Sequence, residues 1–308
     1  MATDEEYQAL LFRICVTENA LAALLKQAGV PDEMIADWRS ETTNVSAYRL
    51  FGAMNSIVRR LDPWTAKSAS SPPPSPPRAR SAMMRSMCGR ARLSTDFTQI
   101  RVQFKLAPEV PSLNLRPSWN IAPTQDQLII ADRPGVGRAA RLAKWGLIPS
   151  WAKEPKPMGA TFNARVETFR EKPTFRNAWS KGRRCLVVAD GFYEWEKDDK
   201  WPVAIGRSDK RLMAFGGLWE RWHQEGAEEI YSCTIITQPA GPAMQHLHDR
   251  EPLIIEEADW PVWLGEEPGD AASLIRPCAP EALVYWKVPK EVGDVRNNRP
   301  ELAEPMAR

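Results

Sequence analysis

The sequence predicts an α+β protein: a mainly antiparallel, barrel-like sheet flanked by short helices and preceded by a small helical leader. Three observations carry that prediction. Apolar residues recur at helical spacing before residue 62 and at strand spacing after residue 88. A run rich in Pro, Ser and Arg, residues 66–86, separates the two regimes. The later strands do not alternate with long helices, which argues against a doubly wound parallel sheet.

In the leader, Thr3 and Glu6 have capping-box spacing. Leu10, Leu11, Ile14, Leu21, Leu24 and Leu25 then follow a helical period up to Gly29, a stop residue. Pro31 suits the first turn of a second helix, and a third is expected from Ser46 to Arg60. The segment 1–65 reads as a helical extension too small to be more than marginally stable alone. Residues 66–86 read as a linker, because prolines break both helix and ladder and the polar remainder buries no core. A catalytic domain is expected over 87–290 and a tail over 291–308. Within the domain, strands are predicted at 127–132, 139–145, 185–195, 201–206, 212–218, 230–237, 252–256 and 282–288. Helical pieces are predicted near 95–106, 163–168, 173–180 and 257–264.

Composition narrows the function. Hydrophobic residues make up 43% and charged residues 26% of the chain, values ordinary for a water-soluble globular protein. No apolar run reaches the length of a membrane span, so no membrane partner is expected. The acidic start, Asp4, Glu5 and Glu6, is unlike a secretory signal. The cysteines (Cys15, Cys88, Cys185, Cys233, Cys278) are scattered, odd in number and lack a CxxC, which argues against a zinc site or a disulfide framework. A reducing cytoplasm is the expected location. The net charge of +2 conceals an asymmetry. Residues 88–184 hold 18 Lys and Arg against 7 Asp and Glu, and residues 185–308 hold 13 against 23. Such a split fits a polyanion-facing side, or two halves that interleave and neutralise one another.

The most informative run is Met87-Cys88-Gly89-Arg90. If the mature chain begins at Cys88, that residue carries a free α-amine and a thiol on adjacent carbons. The amine can form an imine with an aldehyde and the thiol can close a five-membered thiazolidine. An internal cysteine cannot do this, since its nitrogen is an amide. Reference pKa values of about 7.7–8.0 for the α-amine and about 8.5 for the thiol leave both partly nucleophilic near neutral pH. Other clusters stand out: Asn163-Ala164-Arg165-Val166-Glu167-Thr168, Gly191-Phe192-Tyr193-Glu194-Trp195 and His248-Asp249-Arg250. Two further turns begin at Trp119-Asn120 and Trp145-Gly146. Glu194 lies among aromatics, where a carboxyl is costly and often functional. His246 and His248 would share a strand face, but too few further ligands stand at suitable spacing for a metal site. Asn120 reads as a structural turn residue.

Taken together, these motifs resemble the SRAP family, the SOS response-associated peptidase domain that covalently traps abasic sites in DNA. The resemblance runs from Met87 to about Val288 and says nothing about residues 1–86. It implies Cys88 as nucleophile and crosslinking residue. It implies Asn163 as a hydrogen-bond partner near the reacting sugar, Glu194 as general acid/base linked to autoprocessing, and His248 as an aid to sugar ring opening. Arg90, Arg165, Arg176 and Arg250 would hold phosphates of single-stranded DNA containing abasic sites. The implied enzyme is a monomer that needs no metal or organic cofactor and works near the nucleoid in a bacterium. Two departures stand out. Ala91 occupies a position where an aromatic is common. Glu251 replaces the usual Met before Pro252, placing a negative charge beside Arg250 with a predicted loss of DNA affinity.

Three fates of the leader remain open: a true start at Met87 (or at Met83 or Met84 with trimming), self-cleavage before Cys88, or retention. Two other functions also remain open. One is a thiol peptidase acting on protein, with Glu194 or His248 as base. The other is a non-catalytic single-stranded-DNA-binding module that keeps its leader.

Overall fold

A computed structural model of the chain describes residues 89–157 and 159–306. The leader helices, the linker and Cys88 lie outside the described residues. The strands are β1 (Ala91–Leu93), β2 (Ser118–Ile121), β3 (Asp126–Arg133), β4 (Gly137–Trp145), β5 (Asn163–Arg165), β6 (Arg184–Ala189), β7 (Gly191–Trp195), β8 (Pro202–Arg207), β9 (Met213–Trp222), β10 (Ile230–Pro239), β11 (Arg250–Pro252) and β12 (Leu283–Lys287). Among the described residues three α-helices accompany them: α1 (Phe97–Phe104), α2 (Pro173–Ser180) and α3 (Trp260–Leu264). Short 3₁₀ turns complete the described elements.

The strands form two sheets. In the first, β3 pairs with β4 and β6, β6 with β9, β9 with β10, and β10 returns to β4. These five strands form a ring-like sheet, with β4 and β10 parallel and the other pairs antiparallel. Beyond the ring, β10 pairs with β5 on one side and β11 on the other. The second sheet has the order β12-β8-β7-β1-β2 and is wholly antiparallel. This is the α+β, mainly antiparallel and barrel-like class expected from the sequence.

Local chemistry explains the elements. Asp96 caps α1, its Oδ1 accepting from the backbone N–H of Thr98 (2.8 Å) and Gln99 (3.1 Å). Phe97, Ile100 and Phe104 recur along one helix face, and all three are buried. Phe104 stacks on Trp260 at 4.5 Å between centroids. Pro173 opens α2, where a missing N–H costs nothing. β6 is the most enclosed strand: Cys185, Leu186, Val187, Val188 and Ala189 are all fully buried. Such a run cannot alternate with polar residues, because both of its faces are covered. At Gly217 a Cβ would lie 2.7 Å from the Thr234 carbonyl, so the ring closes between β9 and β10 only over a bare backbone.

The sequence expectations need four corrections. The single strand expected at 185–195 is two strands in different sheets, β6 and β7. Asp190 makes the break: its Oδ2 accepts from the backbone N–H and hydroxyl of Ser94, both at 2.6 Å, and its Oδ1 from the Thr95 hydroxyl at 2.6 Å. The helix expected near 163–168 is instead β5 followed by a turn, because the chain there pairs with Ile235, Ile236 and Thr237 of β10. The strand expected at 252–256 begins earlier, as β11, and thins to an isolated bridge at Ile254. Strands β1 and β2 were not anticipated, being too short for a readable alternation. No helix among the described residues is long and apolar enough to cross a membrane.

Candidate active site

The site is built around β7. Phe192 and Glu194 point to one face of this strand and Tyr193 to the other. All three are buried, Glu194 to 3% exposure. Tyr193 is anchored by its hydroxyl, which donates to the Trp119 carbonyl at 2.8 Å. β1 runs antiparallel beside β7, with Ala91 opposite Phe192 and Arg92 opposite Gly191. The Tyr193 N–H donates to the Arg90 carbonyl at 3.0 Å. Continued by one residue, this register brings Gly89 level with Glu194. Gly89, the first described residue, is bonded to Cys88.

The turn after β7 leads to the imidazole. Lys197 Nζ donates to the Gln245 carbonyl at 2.9 Å and pairs with Asp249 at 2.7 Å. It thereby ties the β7–β8 turn to the segment carrying His248. The Nδ1 of His248 accepts from the Arg250 backbone N–H at 3.1 Å. In the neutral ring the proton therefore sits on Nε2, leaving that nitrogen as the outward donor. Burial lowers the His248 pKa below its ordinary value, opposed by Asp249 and reinforced by Lys197, Arg250 and Lys200. His246 does not share a strand face with His248. It stands exposed in a turn, with its ring edge-on to Tyr285 at 5.2 Å.

Asn163 sits on β5 opposite Ile235 of β10, two residues from Arg165. The next level of β10, Thr237, lies between Arg165 and Pro252. Here Arg250 makes a bidentate pair with Glu167, at 2.5 and 3.0 Å, and donates to the Thr237 carbonyl at 2.7 Å. That pair holds the Glu167 carboxyl below the usual carboxylate range. Arg90 is also committed: its Nη2 donates to the Gly293 carbonyl at 2.9 Å and its Nε to Val292 at 3.5 Å. Burial lowers its pKa, and Asp294 opposes that shift. Arg165 and Arg176 are exposed. Of the four expected phosphate-holding arginines, two are thus held by their own chain and two face solvent.

The predicted conflict between Glu251 and Arg250 does not arise. Neighbouring residues on a strand point to opposite faces, and Glu251 turns inward to 1% exposure. Its Oε1 accepts from Gln238 Nε2 and its Oε2 from the Gly241 N–H, each at 3.0 Å. Burial raises its pKa against these hydrogen bonds. The carboxylate that does meet Arg250 is Glu167, which stands in the Asn163–Thr168 motif but was assigned no role from sequence. Lys197 was likewise missed, since nothing local marks a lysine as a tether between two loops. Asn120 is a clamp: its Nδ2 lies 3.1, 3.0 and 2.9 Å from the carbonyls of Val292, Asp294 and Asn297.

Glu194 is thus a buried carboxylate on β7, His248 an Nε2–H imidazole in the segment that Lys197 ties to the turn after β7, and Asn163 an amide on β5. A carboxylate and a neutral imidazole are residue types suited to proton transfer. Comparison with known proteins gives the family. Residues 87–295 match the family model of the SOS response associated peptidase (SRAP). The abasic site processing protein YoqW of Bacillus subtilis (strain 168) is 38% identical over 224 residues, spanning 71% of this chain and 99% of that protein. The abasic site processing protein HMCES of Xenopus tropicalis is 34% identical over 221 residues, 60% of this chain and 65% of that protein. A crystal structure of a Bordetella bronchiseptica protein matches with a TM-score of 0.56 at 26% identity, covering 66% of this chain and all of that one. One from Bacteroides thetaiotaomicron shares the fold, with a TM-score of 0.62 at 23% identity, covering 71% of this chain and all of that one. The chain belongs to the SRAP family.

Proposed function

We propose that this protein processes abasic sites in single-stranded DNA by capturing the open-chain sugar aldehyde on a mature N-terminal Cys88. The observation that carries the reading is the β1–β7 pairing, in which Tyr193, the neighbour of Glu194, bonds to Arg90, two residues after Cys88. The relatives named as abasic site processing proteins support it.

The closed sugar must first open, which takes one proton from the ring hydroxyl and gives one to the ring oxygen. Glu194 and the Nε2–H of His248 supply an acceptor and a donor for that exchange. The Cys88 amine adds to the aldehyde carbon, and loss of one water gives the imine. The thiolate then adds to the imine carbon, its electron pair forming the C–S bond while nitrogen takes up a proton. The product is a thiazolidine, and the net change is the loss of one water. Asn163 orients the sugar. The exposed Arg165 and Arg176 hold the strand, and Arg250 joins them by exchanging Glu167 for a phosphate. Arg90 holds the 292–293 backbone and thereby the start of β1. The domain removes its own leader where that leader is made, with Glu194 assisting. The protein acts as a monomer in the cytoplasm, near the nucleoid in a bacterium, in response to DNA damage. Its described cysteines, Cys185, Cys233 and Cys278, are free thiols.

Intact mass spectrometry of the purified protein, alone and with an abasic oligonucleotide under denaturing conditions, tests this. The expected result is a chain of 221 residues starting at Cys88, and an adduct weighing protein plus oligonucleotide less one water. Cys88→Ala should give no adduct while keeping reversible DNA binding. A normal adduct yield from Cys88→Ala rejects the mechanism.

A further inference from the structure

The other face of the β7 sheet carries a feature that the proposed reaction leaves unused. A cavity of about 400 Å³ opens there, bounded by β1, the start of α1, the β8–β9 turn and β12. Four cations line it: Arg92, Arg207, Lys210 and Arg211. Two of these are neutralised within the fold. Arg207 pairs with Asp209 and Glu256 at 2.9 and 3.0 Å, and Arg211 pairs with Glu257. The lining carboxylate, Asp190, keeps its charge but gives its oxygens to Ser94 and Thr95 rather than to a cation.

Arg92 and Lys210 have no such partner. Among the described residues the Arg92 guanidinium makes no hydrogen bond and no ion pair, and its Nε is buried without an acceptor. It lies over the ring of Trp286, 5.4 Å from the centroid. The fold nevertheless makes room for it. A Cβ at Gly191 would lie 2.8 Å from Arg92 Nη2, and one at Gly206 would lie 3.1 Å from the Trp286 ring. Two glycines on adjacent strands therefore leave a bare floor on which the guanidinium lies. A buried Nε–H without an acceptor is costly, and a ligand oxygen in the cavity would relieve that cost. Lys210 stands exposed at the rim in a left-handed conformation, φ 61°.

We propose that this cavity is a phosphate-binding site, distinct from the candidate active site, whose ligand is a phosphate monoester held by Arg92 and Lys210. Among the described residues Arg92 and Lys210 carry no ion pair, and a phosphate monoester, with about −1.5 to −2 charges at pH 7, offers them more than a carboxylate, which carries one. A planar guanidinium takes two phosphate oxygens at once, and the lysine adds a point charge. Thr95 and Gln99 line the same cavity. The monoester comes from a free nucleotide or from the terminal phosphate of a DNA strand. The site does not depend on aldehyde capture, since Glu194 faces the opposite side of β7 and neither Arg92 nor Lys210 serves the reaction proposed above.

Calorimetric titration of the whole protein tests the proposal, using inorganic phosphate, a nucleoside monophosphate, and one intact oligonucleotide with either a 5′-phosphate or a 5′-hydroxyl. Saturable phosphate binding is expected, weakened about tenfold or more in Arg92→Met and in Lys210→Asn, the loss of a charge-assisted hydrogen bond. Lys210→Asn guards against a folding defect, since the residue is exposed and Asn tolerates its left-handed backbone. Tighter binding of the 5′-phosphorylated oligonucleotide supports the site and assigns it to a DNA end. Equal binding of both oligonucleotides, with saturable binding of the monophosphate, supports it and assigns it to a nucleotide. Absence of phosphate binding by the native protein, or unchanged binding in both variants, overturns the proposal.

Discussion

β6 and β7 are consecutive strands separated by one residue, yet they belong to different sheets and do different work. β6 is apolar from Cys185 to Ala189, fully buried, and paired on both edges within the ring. β7 buries a carboxylate, lies beside the start of the described chain and backs onto a cationic cavity. Asp190 makes the division by engaging Ser94 and Thr95 in place of continuing the ladder. The comparison teaches that two strands joined by one residue can bury side chains of opposite character, an unbroken apolar run in β6 and a carboxylate in β7. A buried polar group is tolerable where it finds partners, as Asn120 does in the second sheet and Glu251 in the first.

The widest separation of the two strands should come from Glu194→Gln. It keeps shape and removes proton transfer, so adduct formation should slow by about 10²–10⁴-fold, the usual worth of a general acid/base, with thermal stability retained. Timed denaturing gels and a melting curve read the two quantities. A variant that melts early instead would make Glu194 a structural residue like those of β6. Leu186→Ala should do the reverse. It opens a void in the ring and should cost about 2–5 kcal/mol in denaturant unfolding while the folded fraction still forms adduct at the native rate. A slowed rate in fully folded material would mean that ring and site are coupled.

Asn120→Ala tests how the flat sheet is fastened. Three backbone carbonyls of the 292–297 segment lose their amide partner, and a loss of about 1–3 kcal/mol is expected, with earlier proteolysis near the C-terminus. Unchanged proteolysis would show that the segment is fastened elsewhere. The smallest effect is a pH limb. Because burial lowers the His248 pKa, protonation sets in below the ordinary histidine value of about 6.5. Protonation also places a hydrogen on Nδ1, which removes the acceptor for the Arg250 N–H. Adduct formation should be insensitive to His248 above pH 6.5 and fall on the acid side, and the same proton uptake should destabilise the fold as pH falls through that window. His248→Gln should flatten that limb. An acid limb that survives in this variant belongs to another group.

Much of the site was legible one motif at a time. Glu194 stood out as a carboxyl among aromatics, and its 3% exposure follows from the apolar face it shares with Phe192. His248 and Asn163 stood out by family resemblance. Their partners did not. Glu167, 83 positions from Arg250, meets it across β10, and Lys197 reaches Asp249 52 positions away. Contacts of that kind leave no local trace, because they depend on strand register and on which face each residue takes. The misjudged role of Glu251 had the same origin: adjacency in sequence was read as adjacency in space, whereas strand alternation sends neighbours apart.

The sequence by itself determined the α+β class, most strands of the ring and the residue types needed for aldehyde chemistry, since periodicity and side-chain chemistry are local properties. Tertiary structure alone decided that one apolar run becomes two strands in two sheets, that β1 lies along β7, and that Arg90 and Arg250 are held while Arg92 is not. Those outcomes rest on pairing between distant segments and on competition for hydrogen-bond partners, which only the folded chain resolves.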